Sequence, residues 1–356
     1  MNISLSTHDA EQCIKSLKEG SKSFYAASRL LPGRMRLPTA AVYAFCRATD
    51  DLVDETPDET NASRNEIQKE NSPQMESDET TLHPHSETVN GHNENKQNGN
   101  SAGYNNKIIE KLKTRLENIY TKKDLNDFVD RAFAWVVEEY SIPKVVPELL
   151  LEGYTWDLEN REHETISSVR AYSARVAATV GVMMTVLMGC RDRNTLARAC
   201  DLGVAMQLTN IARDVGEDAR ANRLYLPREW LKEEGIDPRE WIKKPLFNEH
   251  LGKVIERLLM EAHRLYSQAE AGIFTLPRDS RTAIWAARLI YSDIGRVIRK
   301  NKLDSVSRRV FTTKTRKAHL LFRAFIKAKT KNSAGAELLS APPLKETRQL
   351  VESMAE

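Results

Sequence analysis

The stretch TLARACDLGVAMQLTNIARDVGED, Thr195 to Asp218, decides the fold. It contains no proline, and up to Arg213 it is apolar on several sides. That pattern belongs to a helix lying inside a bundle, because a surface helix keeps one polar face. Its last turns change character. Asn210, Asp214 and Asp218 stand at i, i+4 and i+8, so on a helix they form one ridge, with Glu217 beside them.

The flanking sequence repeats the helical style. KIIEKLKTRLENIY places Ile109, Leu112, Leu116 and Ile119 on one stripe with charges opposite. DRAFAWVVEEY and VIERLLMEAHRLYSQAEAGI do the same. Pro32, Pro38, Pro143, Pro147, Pro227 and Pro238 mark expected helix boundaries. No run of alternating strands, internal repeat or GxGxxG is present. The chain reads as a single all-α domain, residues 1–356.

Two segments depart from that body. Thr56–Asn106 is rich in Asn, Glu, Ser, Thr and His, with few large apolar residues. Such a segment buries too little surface to offset the entropy of ordering, so it reads as a disordered polar insertion. His83, His85 and His92 fall inside it and read as solvated. The tail, residues 332–356, thins into Ser, Ala, Pro and charge and is expected to fray.

The chain has 356 residues and a formal net charge of +3. A nucleic-acid binder of this size would be clearly basic, so that class is excluded. Cys13, Cys46, Cys190 and Cys200 show no ligand or disulfide pattern, as expected for a reduced, cytoplasmic protein. The start MNISLSTHDAEQ has no basic-then-apolar signal pattern. VAATVGVMMTVLMG, Val176–Gly189, is shorter than the about 20 residues of a membrane span and reads as a core helix.

A second acidic cluster lies in TDDLVDETPDET. Asp50 and Asp54 share a helix face, and they close an apolar helical run, AAVYAFCRAT. Like charges at that spacing call for a positive partner. Both clusters consist of oxygen donors, which suit Mg²⁺ or Mn²⁺ better than a softer metal. Arg47 precedes the first cluster; Arg213 and Arg223 flank the second. One such cluster alone reads as surface salt bridges. Two of them, each on an apolar helix and each beside arginine, read together as a metal-bridged diphosphate site.

GSKSFYAASRLLP, VYAFCRATDDLVDE and AMQLTNIARDVGEDARANRLYLP resemble the motifs of the phytoene synthase/squalene synthase family, with bacterial phytoene synthases the nearest branch. The likeness runs from about Leu17 to about Leu321, broken only by the insertion. It implies an isoprenoid-synthase helical bundle around a central cavity, with two Asp-rich motifs facing across it. It implies a prenyltransferase that condenses two prenyl diphosphates head to head with Mg²⁺, or Mn²⁺ in its place. Within the nearest branch the substrate is geranylgeranyl diphosphate, the intermediate is a cyclopropyl diphosphate, and no NADPH is needed.

By this resemblance Asp50, Asp51 and Asp54 form the first metal motif, and Asn210, Asp214 and Asp218 the second, with Gln207 a turn earlier. Arg47, Arg213, Arg223 and Tyr225 match positions that contact diphosphate. Ser21, Ser23 and Phe24 match a substrate-contacting SxSF, and Tyr43 a cavity-facing position. Tyr291 and Arg309 match a late tyrosine and arginine near the diphosphates. Tyr172, opening YSARVAATVG, matches a catalytic tyrosine. Here the sequence departs from the family pattern: Ser173, Ala174 and Ala178 replace Cys, an aromatic or His, and Gly, changes expected to alter the cavity lining.

The chemistry is consistent with these residue types. Loss of diphosphate builds negative charge that metal and guanidinium groups stabilise. A carbocation needs a dry cavity, which Val176, Ala177, Val180, Gly181 and Met184 could wall, and aromatic faces worth about 0.5–2 kcal/mol each. A C40 hydrocarbon product implies release near a membrane or to a downstream phytoene desaturase. The basic stretches Arg299–Lys302 and Thr312–His319 are candidates for a peripheral contact with an anionic surface, or are solvated helix ends or neighbours of the diphosphate site. Squalene or dehydrosqualene synthesis from farnesyl diphosphate, and a non-catalytic scaffold of the same fold, stay open as alternatives.

Overall fold

A computed structural model describes residues 5–20, 25, 28–54, 94–330 and 336–355, apart from the side chains of 54 and 94–102. The helices are α1 (Thr7–Gly20), α2 (Gly33–Asp54), α3 (Glu94–Thr121), α4 (Phe128–Glu139), α5 (Val145–Leu158) and α6 (Ile166–Ser173). A π-helical turn, Ala174–Ala178, joins α6 to α7 (Thr179–Leu187). There follow α8 (Arg193–Arg220), α9 (Arg228–Glu233), α10 (Pro238–Lys243), α11 (Glu249–Ile273), α12 (Arg278–Lys300), α13 (Lys314–Lys329), α14 (Ala336–Ser340) and α15 (Arg348–Met354). No strand occurs among the described residues.

Helix α8 is the stretch first quoted, and it lies inside as expected. Asp192 caps it by accepting from the Thr195 N–H at 2.8 Å. Leu196, Cys200, Val204, Leu208, Ile211 and Val215 are all buried along it. It packs against α11, the π turn, α7 and α12. Helix α11, which packs on it, buries Val254, Leu258 and Leu265 and starts at an Asn248 cap. Where α8 crosses the π turn the backbones nearly touch. A Cβ at Gly203 would stand 2.7 Å from the Ala178 Cα, so only glycine fits there.

Three expectations need correction. Pro38 lies inside α2 and does not bound it. It falls in the second turn, where the helix already starts freely at Gly33 and loses one backbone bond without ending. The polar insertion ends earlier than composition suggests. Helix α3 begins at Glu94, and Asn105 donates to the Leu158 carbonyl at 2.8 Å, which anchors its N-terminal half to α5. The rest of Thr56–Asn106, with all three of its histidines, lies outside the described residues.

The tail does not fray over residues 336–355. Leu350, Val351 and Met354 are buried on one side of α15, each worth about 1.5–3 kcal/mol when fully buried. Arg198 of α8 donates to the carbonyl of Ala341 at 3.0 Å and to that of Leu338. Glu346 accepts from Ser167 at 2.7 Å and pairs with Arg170 at 3.1 Å. Averaged over the tail, composition conceals these few anchors.

Candidate active site

A cavity of about 290 Å³ runs between α7, α8, α11 and α12. Val176, Ala177, Val180, Gly181 and Met184, expected as its wall, all line it. Along α8 the lining extends from Thr195 to Asn210, about 22 Å at 1.5 Å per residue. Met188, Thr195, Arg198 and Leu276 close one end; Gln207, Asn210 and Tyr291 stand at the other. The walls between are apolar. Ser173, Ala174 and Ala178 do not line it, contrary to expectation. The Ser173 hydroxyl turns back to the Val169 carbonyl at 2.8 Å, and Ala178 faces Gly203.

At Asn210 the register of α8 carries the chain out of this apolar space into the carboxylate ridge. Asn210 donates to Gln207 at 3.3 Å, while its buried Oδ1 has no hydrogen-bond partner. Asp214 accepts from Arg213 at 2.7 Å and pairs with Arg309 at 2.9 Å. Arg309 also reaches Glu217 at 3.0 Å. It arrives on the segment before α13, which lies on α8 at Gly216. There the Gly216 N–H donates to the Ser305 carbonyl at 3.0 Å, and a Cβ would stand 2.3 Å from the Val306 oxygen.

Asp218 is the most perturbed carboxyl of the ridge. Burial, then the neighbouring Asp214, push it up to about 8, with Glu217 and Asp157 adding and Arg223 opposing. Arg223 returns to it because α8 ends in a left-handed residue, Asn222 at φ +55°, after which the Arg223 N–H donates to the Asp218 carbonyl at 2.8 Å.

The same turn brings Tyr225 back beside Tyr172. The rings stack 4.9 Å apart, and both hydroxyls donate to one carboxylate, Asp157 of α5, at 2.6 and 3.0 Å. Burial and that carboxylate hold Tyr172 well above the ordinary tyrosine range, so it stays a neutral donor. His163 packs 5.3 Å from Tyr172 and is pulled down to about 4 by burial and by Arg161. Sequence reasoning missed both Asp157 and His163. Asp157 was readable only as a lone acid near the end of an apolar helix.

On α2, Arg47 donates to Asp51 at 3.1 Å and lies 4.0 Å from Asp50. Tyr43 is half-buried one turn earlier, outside the cavity lining. Asp54 ends this helix; its side chain, like Ser21, Ser23 and Phe24, lies outside the described residues. Tyr291 lines the cavity mouth, and burial raises its pKa.

The donor set fits a hard divalent cation. Asn210 Oδ1 is an unsatisfied buried oxygen, and the crowding that lifts Asp218 is what a cation would relieve. Among the described residues no three carboxylate, imidazole or thiolate groups converge on one point. An ion held here would draw further oxygens from water and substrate, the habit of Mg²⁺.

Comparison with known proteins gives the family and the fold. The family model for squalene/phytoene synthase covers residues 17–316. A phytoene synthase of Cereibacter sphaeroides is 43% identical over 352 residues, 99% of this chain and 89% of that protein. One of Rhodobacter capsulatus is 45% identical over 90% of this chain and 82% of its own length. A dehydrosqualene synthase crystallised with a ligand superposes with a TM-score of 0.69 at 26% identity, covering 91% of this chain and 98% of that one. A squalene synthase from Alicyclobacillus acidocaldarius, at 19% identity and a TM-score of 0.64, shares the fold.

Proposed function

The chain belongs to the squalene/phytoene synthase family, and from that membership we propose a geranylgeranyltransferase that makes phytoene. It joins two geranylgeranyl diphosphates head to head, through prephytoene diphosphate, to 15-cis-phytoene and diphosphate, the first committed step of carotenoid formation. The observation that carries this is the continuity of α8. One face of a single helix lines the cavity for about 22 Å, apolar through its middle, and then becomes an oxygen-rich ridge. That suits a molecule with a long hydrocarbon chain and a diphosphate head. The two phytoene synthases at 43% and 45% identity favour a C20 substrate over the C15 one.

Asn210, Asp214 and Asp218 would hold Mg²⁺, with Asp50, Asp51 and Asp54 as the facing set. Bound there, the ion neutralises charge on the departing diphosphate. Arg213, Arg309 and Arg223 stand around Asp214 and Asp218 and offer guanidinium hydrogen bonds to the same leaving oxygens. Ser21, Ser23, Phe24, Tyr43, Arg47 and Gln207 orient substrate. Val180, Gly181, Met184 and Met206 exclude water, so a cation formed in the cavity meets no nucleophile. Tyr172 and Tyr225 stack on each other outside the cavity lining, with both hydroxyls held by Asp157; from there Tyr172 would take the catalytic part that the resemblance gives it.

No helix among the described residues is long and apolar enough to cross a membrane. The hydrocarbon product leaves for a bilayer surface or for a phytoene desaturase that acts on it next.

The test is product identification. Purified protein with Mg²⁺ is given geranylgeranyl diphosphate, or farnesyl diphosphate with and without NADPH. A C40 hydrocarbon from the first is expected. Its absence, or a C30 product formed faster, overturns the assignment in favour of squalene or dehydrosqualene synthesis. Asp214→Asn should cost about 10²–10³ in turnover. A scaffold that does no chemistry would show no turnover to lose.

A further inference from the structure

Helix α13, KTRKAHLLFRAFIKAK, has two apolar faces. Leu320 and Ala324 pack inward with Ile273, Trp285 and Leu289. On the opposite side Leu321 is 37% exposed, Phe322 64%, Phe325 48% and Ile326 46%; Phe311, just before the helix, is 68% exposed. Ala318, Leu321, Phe322, Phe325 and Ile326 fall within an arc of about 140° at 3.6 residues per turn, with Phe322 opposite the core-facing Leu320 and Ala324, and with Leu321 on the flank. A helix that has already buried one face in its own protein normally turns a polar face to water. This second stripe needs another partner.

Charge says which one. The helix carries six Lys and Arg and no Asp or Glu. Arg316 and Lys327 are engaged inward, with Asp293 and Glu270. Lys314, Lys317, Arg323 and Lys329 stand around the stripe, Lys329 lying 4.0 Å over the Phe325 ring. Bulky apolar groups ringed by cations match the boundary of an anionic bilayer, where apolar groups enter the acyl region and cations meet phosphates. Of the two basic stretches singled out in the sequence, Arg299 is paired with Glu256. The other, Thr312–His319, opens this helix.

The stripe is also placed next to the active site. One layer, α12 with Ile273 of α11, separates α13 from the cavity: Trp285 and Leu289 face α13, while Ile273, Ile284, Ala287 and Tyr291 line the cavity. At the polar end the Arg309 guanidinium that pairs with Asp214 lies 5.6 Å over the Phe311 ring. We propose that the outward face of α13, together with Phe311, seats this protein on an anionic lipid surface, with the mouth of the cavity beside the headgroups. The occupant follows from exposure and charge; its use, exchange of a lipid diphosphate and a hydrocarbon with the bilayer, rests on the proposed function.

The test is sedimentation of the full chain with vesicles of phosphatidylcholine, with and without phosphatidylglycerol. The wild type should sediment with the anionic vesicles and stay behind with the neutral ones. Phe322→Ser with Phe325→Ser, and separately Lys314→Gln with Lys317→Gln and Arg323→Gln, should each lower partitioning at least about tenfold with unchanged circular dichroism. Equal sedimentation with both vesicle types, or wild-type binding by the phenylalanine variant, overturns the proposal. So does light scattering that shows a dimer which this variant splits, since the stripe would then cover a second copy. Anionic vesicle binding by a chain that makes no C40 hydrocarbon would support this surface and remove the proposed function.

Discussion

Gly216 and Ser305 share a hydrogen bond of 3.0 Å, from the glycine N–H to the serine carbonyl, that docks a distant segment onto α8. That contact delivers Arg309 to Asp214 and Glu217. Gly216→Ala would press a methyl group into the Val306 backbone. Overpacking of this kind costs about 1–3 kcal/mol, so the melting temperature should fall. Because Arg309 retreats with the segment, kcat/KM should fall further than the stability loss accounts for. An alanine variant with wild-type kinetics would show that Arg309 is held some other way.

Asp157 accepts from both Tyr172 and Tyr225. Asp157→Asn keeps the shape, but its amide nitrogen cannot accept, so one tyrosine loses its acceptor. Leaving a buried hydroxyl unpaired costs about 1–3 kcal/mol. Turnover is expected to drop about tenfold or more while the substrate KM changes little, because the proposed role of Tyr172 is in the reaction and not in holding substrate. Steady-state kinetics of the variant measure this split.

Asp218 is pushed up to about 8, against 3.8 for a free aspartate. A carboxyl raised on folding holds its proton in the folded chain when the unfolded one has lost it. Its contribution is therefore full below about 3.8 and is lost as pH rises through about 8. Asp218→Asn should stabilise the metal-free protein at pH above that value and abolish the Mg²⁺-dependent rise in melting temperature. Thermal melts with EDTA and with Mg²⁺ read both effects. Removing metal with EDTA should also stop turnover of the wild type.

His163 has the opposite sense. Its folded pKa of about 4 lies below the ordinary 6.5, so the unfolded chain binds the proton first. The stability it confers is complete above pH 6.5 and is lost as pH falls toward 4, by about 3 kcal/mol in all. His163→Gln should flatten that part of the acid limb in urea titrations taken across this window. An acid limb unchanged by the substitution would place the titration elsewhere.

Arg198 and Asp201 form a fully buried pair at 2.8 Å, and Arg198 also carries the tail carbonyls. Arg198→Met leaves Asp201 buried without its paired guanidinium, with only the more distant Arg264 opposing its charge, which costs about 3–5 kcal/mol. The segment 336–355 should then become sensitive to protease before the body does. Pairing it with Asp201→Leu should restore most of the stability but not the protection of the tail.

The helical bundle and the ridge of Asn210, Asp214 and Asp218 were legible in sequence because both are local. A 3.6-residue period places side chains four apart on one face wherever the helix lies, and the apolar run before them places that helix inside. That Asp50 and Asp51 close an apolar helix was legible for the same reason. What joins distant residues was not. Asp157 between two tyrosines, Arg309 on Asp214 and Arg198 beneath the tail all span long stretches of chain, with no period to mark them. The tail shows the limit most clearly. Its average composition is that of a frayed end, yet Leu350, Val351 and Met354 find a buried surface that only the folded bundle supplies. Sequence alone determined which residues carry oxygen and charge, and on which helical face. Tertiary structure decided which of them meet, because contact free energy depends on packed distance and not on separation along the chain.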